Sequence, residues 1–227
     1  MTIITKSKGK LDSIVIDIEF LLISVVQGLA IQALVDSAVV PIQNLQWEYW
    51  PYVLTAFFFI LVYWAQAVLH TLTFIKWPLD IGHSFLYYFT AIIEFLAFYQ
   101  VTNPVRWFMF TAVLMLSIIF LYVFDLWLLK NKRDRFCSTK EGNALYNHAL
   151  RSQMFELYFF VPAAVVFNLF AAIAIYYYPV IFLNNGHHLW LIGAQCLFTL
   201  GFLLRSIWQF KARSELITIY EERDAVV

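Results

Sequence analysis

The sequence predicts an all-α, polytopic integral membrane protein: six transmembrane helices in one bundle, with both termini in the cytosol. Three observations carry that expectation. The 227-residue chain is 62% hydrophobic and only 13% charged, where a soluble domain carries about 25% charge. Its apolar residues gather into six runs, each near the ~20 residues that a bilayer crossing needs. The basic residues then fall on alternate connections between those runs. Fourteen of the fifteen Lys and Arg residues lie on one side, with Arg106 as the exception, and such a bias marks the cytosolic side.

The expected spans are Ile14–Val35, Tyr52–Ile75, Ile81–Val101, Trp107–Leu129, Phe155–Tyr178 and Leu189–Trp208. They make a single domain, 1–227, with one sizeable cytosolic loop at 130–152. Lys6, Lys8 and Lys10 precede the first span, and Lys76 sits in the tight turn after the second. Lys130, Lys132, Arg133, Arg135, Lys140 and Arg151 occupy the long loop, and Arg205, Lys211, Arg213 and Arg223 close the chain. An even number of spans follows from that pattern. The opposite end collects Trp47, Tyr49, Trp50, Tyr52, Tyr99, Trp107, Tyr176 to Tyr178 and Trp190, the composition of a headgroup-level aromatic belt. Asn184-Asn185-Gly186 marks a turn between spans five and six. Pro78 and Pro104 punctuate connections, and Pro162 lies inside span five, where proline kinks a helix.

Zero net charge supplies no basic field for nucleic acid, so the expected partners are the lipid bilayer, further copies of the chain, and an inorganic ion or small solute. The localisation expected is a cell or inner membrane. Cys137 and Cys196 lack CxxC spacing, which argues against a disulfide or a metal cluster. No cleavable signal peptide is read at the N-terminus.

Each span carries one polar line. Span one has Asp17, Ser24, Gln27, Gly28, Gln32 and Asp36; span two has Thr55, Gln66, His70 and Thr73; span three has Asp80, His83, Tyr87 and Glu94. Thr111, Tyr122 and Asp125 follow on span four, Gln153, Glu156 and Asn168 on span five, and Gln195, Thr199, Ser206 and Gln209 on span six. Such groups tie helices together or mark a path through the membrane. Glu94 is singled out because its count along the helix places it near mid-membrane, where a lone carboxylate costs roughly 2.5–3.5 kcal/mol on insertion scales. Asp17, Glu19, Asp80, Asp125 and Glu156 sit nearer the cytosolic ends, where solvation or pairing is expected, with Arg205 in reach of one of them.

Among enzymatic chemistries, His70, Asp80 and His83 form the one candidate metal group, since imidazole and carboxylate suit zinc or iron. The histidines lack the paired depths that two stacked haems need and the clustered motifs of a diiron oxidase. No mid-span Lys, glycine-rich phosphate loop or GxSxG elbow occurs. No cofactor is expected, and an enzyme stands behind transport as a class.

Asp17-Ile18-Glu19-Phe20 opening span one, and Tyr63-Trp64 followed by a polar tail with His70 in span two, give the chain a topology-level likeness. Together with six spans and cytosolic ends, they make it resemble the six-span subunits of the bacterial and lysosomal potassium-type channels. The Arg-x-x-x-Phe-Ser-Asp run of that family is absent. The resemblance implies oligomeric assembly and a pore lined by the first helix. The leading expectation is therefore a cation-conducting channel, with Ser24, Gln27, Gly28 and Gln32 along the path. Glu94 is grouped with them, and Gln66, His70, Tyr87 and Gln195 form a supporting polar network. The alternatives are a proton-coupled small-solute transporter using Glu94, and a membrane enzyme or metal-binding protein using His70, Asp80 and His83.

Overall fold

A computed structural model of the chain describes residues 2–72, 81–131, 133 and 140–224. Seven α-helices account for most of it: α1 (Thr2–Gln43), α2 (Trp50–Leu72), α3 (Ile81–Phe98), α4 (Pro104–Asn131), α5 (Lys140–Phe155), α6 (Val161–Tyr177) and α7 (His188–Asp224). No strand occurs among the described residues. Five stretches are long and apolar enough to cross a membrane: Phe20–Gln43, Trp47–His70, Pro104–Asn131, Gly142–Tyr177 and His188–Ser214. The chain is thus an all-helical protein built for several membrane crossings.

Helix limits follow local chemistry. Pro104 opens α4 instead of merely punctuating the connection, because proline's missing N–H is harmless in a first turn. Asn103 caps that turn, its Oδ1 accepting from the Arg106 N–H at 3.1 Å, as an N-cap side chain should. Pro51 stands second in α2 for the same reason. The expected turn at Asn184-Asn185-Gly186 is present, with Gly186 at φ +73°, a left-handed conformation that costs glycine nothing.

The largest difference from expectation is the segment 130–152. It is helical from Lys140 onward, as α5, and not a loop throughout. Leu145, Tyr146 and Ala149, at helical spacing, bury one face against Leu129 of α4. That stripe suffices for a helix even though the segment is too polar for a core. A π turn, Glu156–Phe160, then joins α5 to α6 without a break in the rod. Its Val161 N–H reaches back to the Glu156 carbonyl, five residues away. Pro162 follows as the second residue of α6, so the wide turn absorbs the hydrogen bond and the space that proline denies.

In the bundle, α4 packs against α3 and α6, α2 packs against α7, and α1 lies across α2 and α3. The pair α6 and α7 touch only sparsely. The largest apolar core runs along α4 from Trp107 to Leu126, and at its aromatic-rich end Tyr52, Phe98, Trp107 and Phe108 are wholly buried. Tyr52 meets the Trp107 and Phe108 rings edge-on at 5.7 and 6.2 Å, an arrangement that ring quadrupoles favour.

Gly186→Ala tests the turn in isolation, because the added Cβ would meet only Leu189 Cδ1, at 3.9 Å. The expected loss is about 1–2 kcal/mol from the left-handed backbone, read as a lower unfolding midpoint in detergent with the fold otherwise intact.

Candidate functional site

Among the described residues, the polar lines of α2, α3, α4, the continuous α5–α6 rod and α7 all turn inward. Thr55, Gln66 and His70; His83, Tyr87 and Glu94; Thr111, Tyr122 and Asp125; Gln153, Glu156 and Asn168; and Gln195, Thr199, Ser206 and Gln209 are buried. Gln66, His70, His83, Tyr87, Glu94, Tyr122, Asn168, Gln195 and Thr199 of this set line a cavity of about 360 Å³ between α2, α3, α4, α6 and α7. Its wall is overwhelmingly apolar, with polar groups at the two ends and one carboxyl between.

The end near the aromatic loops is closed by a continuous hydrogen-bond network. Trp107 Nε1 donates to Gln195 Oε1 at 2.8 Å, and Gln195 Nε2 donates to Asn168 Oδ1 at 2.7 Å. Thr111 Oγ1 lies 2.7 Å from the same Asn168 oxygen, and Asn168 Nδ2 donates to the Ala164 carbonyl at 2.7 Å. Three helices are thereby joined by groups that satisfy one another, the condition under which a buried polar network stabilises. Outside it, the Tyr52 hydroxyl meets His188 Nδ1 at 2.9 Å.

At the opposite end, Asp125 lies between two imidazoles. His83 Nε2 donates to Asp125 Oδ1 at 2.8 Å, and His70 Nδ1 is 3.3 Å from Oδ2. Asp125 is 0% exposed and His83 1%. One carboxylate therefore links α2, α3 and α4. Neighbouring pairs complete this floor: Gln66 Nε2 donates to Ser206 Oγ at 2.8 Å, and Glu156 accepts from Ser152 Oγ at 3.0 Å. Arg205 Nη2 lies 3.9 Å from Glu156, so the expectation that Arg205 would reach an acid at this end holds. Asp125 and Glu156 are paired and not solvated.

Glu94 lies between these ends, 1% exposed on α3. Its Oε2 has no hydrogen-bond partner among the described residues, and neither has Oγ1 of Thr90 one turn earlier. At 100° per residue, His83, Tyr87, Thr90 and Glu94 fall within about 60° of one another, so one face of α3 carries them all. Tyr63 and Tyr87 lie beside this carboxyl, their rings tilted at 52° with centroids 5.3 Å apart. Phe160 of the π turn lies against Phe198 and Phe202 of α7, at 4.2 and 3.9 Å. These rings fill the sparse seam between α6 and α7.

The expected site residues thus separate into groups. Gln66, His70, Tyr87, Glu94, Gln195 and His83 all line the cavity, but Gln195 belongs to one end and His70 to the other, so the supporting network is two networks. Asp80 lies outside the described residues, and the partner found for His70 and His83 is Asp125. Among the described residues, no group of three or more His, Cys, Asp or Glu is arranged to hold a metal ion. Of the α1 line, Gln27 alone is buried, its amide beside the Tyr87 hydroxyl. Ser24, Gly28 and Gln32 face away from the bundle and take no part in the cavity. Their polar atoms are met within α1: Ser24 Oγ donates to the Phe20 carbonyl, and Gln32 Nε2 to Asp36 Oδ1, both at 2.7 Å.

Sequence reasoning placed Tyr63, Asn168 and Thr199 among span residues without joining them to Glu94. Their helical phase was the available signal, but phase orients a residue only on its own helix.

Fold and cavity together define a multi-pass helical membrane protein with an internal, largely apolar chamber. The chain matches no protein-family model, no curated protein and no solved structure.

Two substitutions test the ends. Asp125→Asn replaces one of two acceptors with a donor, leaves an imidazole N–H unmet, and is expected to cost about 1–3 kcal/mol. Gln195→Leu strands the Trp107 N–H and is expected to cost a similar ~1–3 kcal/mol. Denaturant midpoints in mixed micelles measure both, and unchanged midpoints would remove these networks from the account of stability.

Proposed function

We propose that the protein is a proton-coupled carrier for a small solute with an apolar body and one cationic or hydrogen-bonding group. The observation that supports this reading is the apolar cavity of about 360 Å³ with the Glu94 carboxyl as the one acid among the described residues on its wall. That volume lies within the range of small-molecule sites, and a few polar groups on an apolar wall are their usual composition. An intramembrane carboxyl is costly as a lone charge, so it is neutralised by a proton or by a cationic group of the solute. The two exclude each other at one carboxyl, which is the elementary requirement for exchanging solute against protons. In this reading α3, at 18 residues and about 27 Å long, is the sixth span. Both termini then lie on the cytosolic side, with the basic connections.

The experiment is proton movement in liposomes that hold the purified protein and an internal pH-sensitive dye, challenged with a panel of lipophilic amines. Wild type is expected to release protons from the lumen on addition of a transported amine, and Glu94→Gln to reduce that signal at least tenfold without altering its melting temperature. Equal responses from both proteins would sink the carrier reading.

A second reading, an oligomeric cation channel, is favoured by the outward face of α1. Ser24, Gly28, Gln32 and Asp36 are exposed on one helix side, where a second copy would meet them. Gln27 is turned into its own chain and would not line such a pore. Planar-bilayer currents that fall severalfold in Gln32→Leu would support this reading; a silent bilayer with folded wild type would remove it.

A further inference from the structure

A second pocket, of about 490 Å³, opens between α5 and α7 at the basic end of the bundle. His148, Arg151, Ser152, Arg205, Trp208 and Gln209 are on its wall, and no acidic residue is. Arg151, Arg205 and Arg213 all act electrostatically on His148. Among the described residues the neighbouring carboxylate is Glu156, which already takes Ser152 at 3.0 Å and faces Arg205 at 3.9 Å. Two guanidinium groups, Arg151 and Arg205, thus line a half-enclosed site, with Arg213 near enough to act on His148. His148 Nδ1 adds a buried nitrogen with no hydrogen-bond partner among the described residues. With its amide oriented to satisfy its neighbours, Gln209 accepts from Arg205 Nη2 at 2.9 Å and Nε at 3.2 Å and donates to Ser152. Arg205, lying over the Phe155 ring at 4.4 Å, is thereby held in place.

Converging cations at partial burial repel one another unless an anion joins them, and guanidinium groups match the oxygens of a phosphate in pairs. The rim identifies what carries the phosphate. Phe155 and Trp208 are exposed beside the pocket, and α7 is within its membrane-crossing stretch up to Ser214. An occupant there meets charge on one side and lipid-facing rings on the other. Basic pockets between membrane helices take anionic headgroups in this way.

We propose that this pocket binds the phosphate of an anionic phospholipid, with Arg151 and Arg205 gripping its oxygens and the acyl chains running along Phe155 and Trp208. The site is separate from the central cavity and does not depend on the carrier reading.

Native mass spectrometry of the detergent-purified protein tests it, with phosphatidylglycerol and phosphatidylcholine offered in equal amounts. Wild type is expected to retain phosphatidylglycerol at least tenfold more than phosphatidylcholine. The double variant Arg151→Gln with His148→Gln is expected to lose that preference while its lipid-free melting temperature stays unchanged. Arg205 is left intact because it also faces Glu156. Arg151→Gln alone, at an exposed position, reads the same preference should the double variant fold poorly, and Arg151→Lys is expected to recover part of it. Equal retention of the two lipids by wild type, or an undiminished preference in the variants, would overturn the proposal. Inorganic phosphate at millimolar concentration that stabilises wild type as much as phosphatidylglycerol does would assign the site to a soluble phosphate ester and overturn the lipid.

Discussion

Asp125 between His70 and His83 is the contact on which the interior depends. It joins helices from three different parts of the chain at one buried carboxylate, and it fixes more than distance. His83 and Glu94 are eleven residues apart on α3, about three turns, and so share a face. Once His83 is turned to Asp125, Glu94 must turn to the cavity. An interaction that satisfies polar groups at one end thereby orients the unpartnered oxygen in the middle.

The same economy explains where the cavity is. Full helix-to-helix packing would close the centre, but α6 and α7 approach each other sparsely and the seam is filled by Phe160, Phe198 and Phe202. The π turn that places Phe160 there exists beside Pro162, so a backbone necessity supplies a wall of the chamber. Helix α1, with Ile23 and Val26 packed on Ala67 of α2 and on Tyr87 and Ala91 of α3, stands outside the ring. The network of Trp107, Thr111, Asn168 and Gln195 meets its own hydrogen bonds and acts as a strut at one end, and Asp125 ties three helices at the other. Between them, Glu94 keeps an oxygen that nothing described in the chain satisfies.

Much of this was legible in the chain. The apolar runs, the turn at Gly186 and the polar line on each span follow from composition and 3.6-residue periodicity, because a helix in hydrocarbon must satisfy its own backbone and cannot scatter polar groups at random. Glu94 stood out for the same reason. Less legible was α5: its stripe of Leu145, Tyr146 and Ala149 is a helix signal, but mixed with charge it read as a loop. The line on α1 looked like the others and behaves differently. Ser24 and Gln32 find partners within their own helix, so they impose no inward orientation.

Sequence by itself determined the class of this protein, since low charge and long apolar runs leave no soluble alternative, and it determined which side of each helix is polar. Tertiary structure alone decided which of those sides meet. His70 and His83 were paired by nearness in the chain with Asp80, and were found against Asp125, forty-two residues beyond His83. Helical phase says where a side chain points around its own axis. Which helix stands opposite is settled by packing between distant segments, and no local spacing records it.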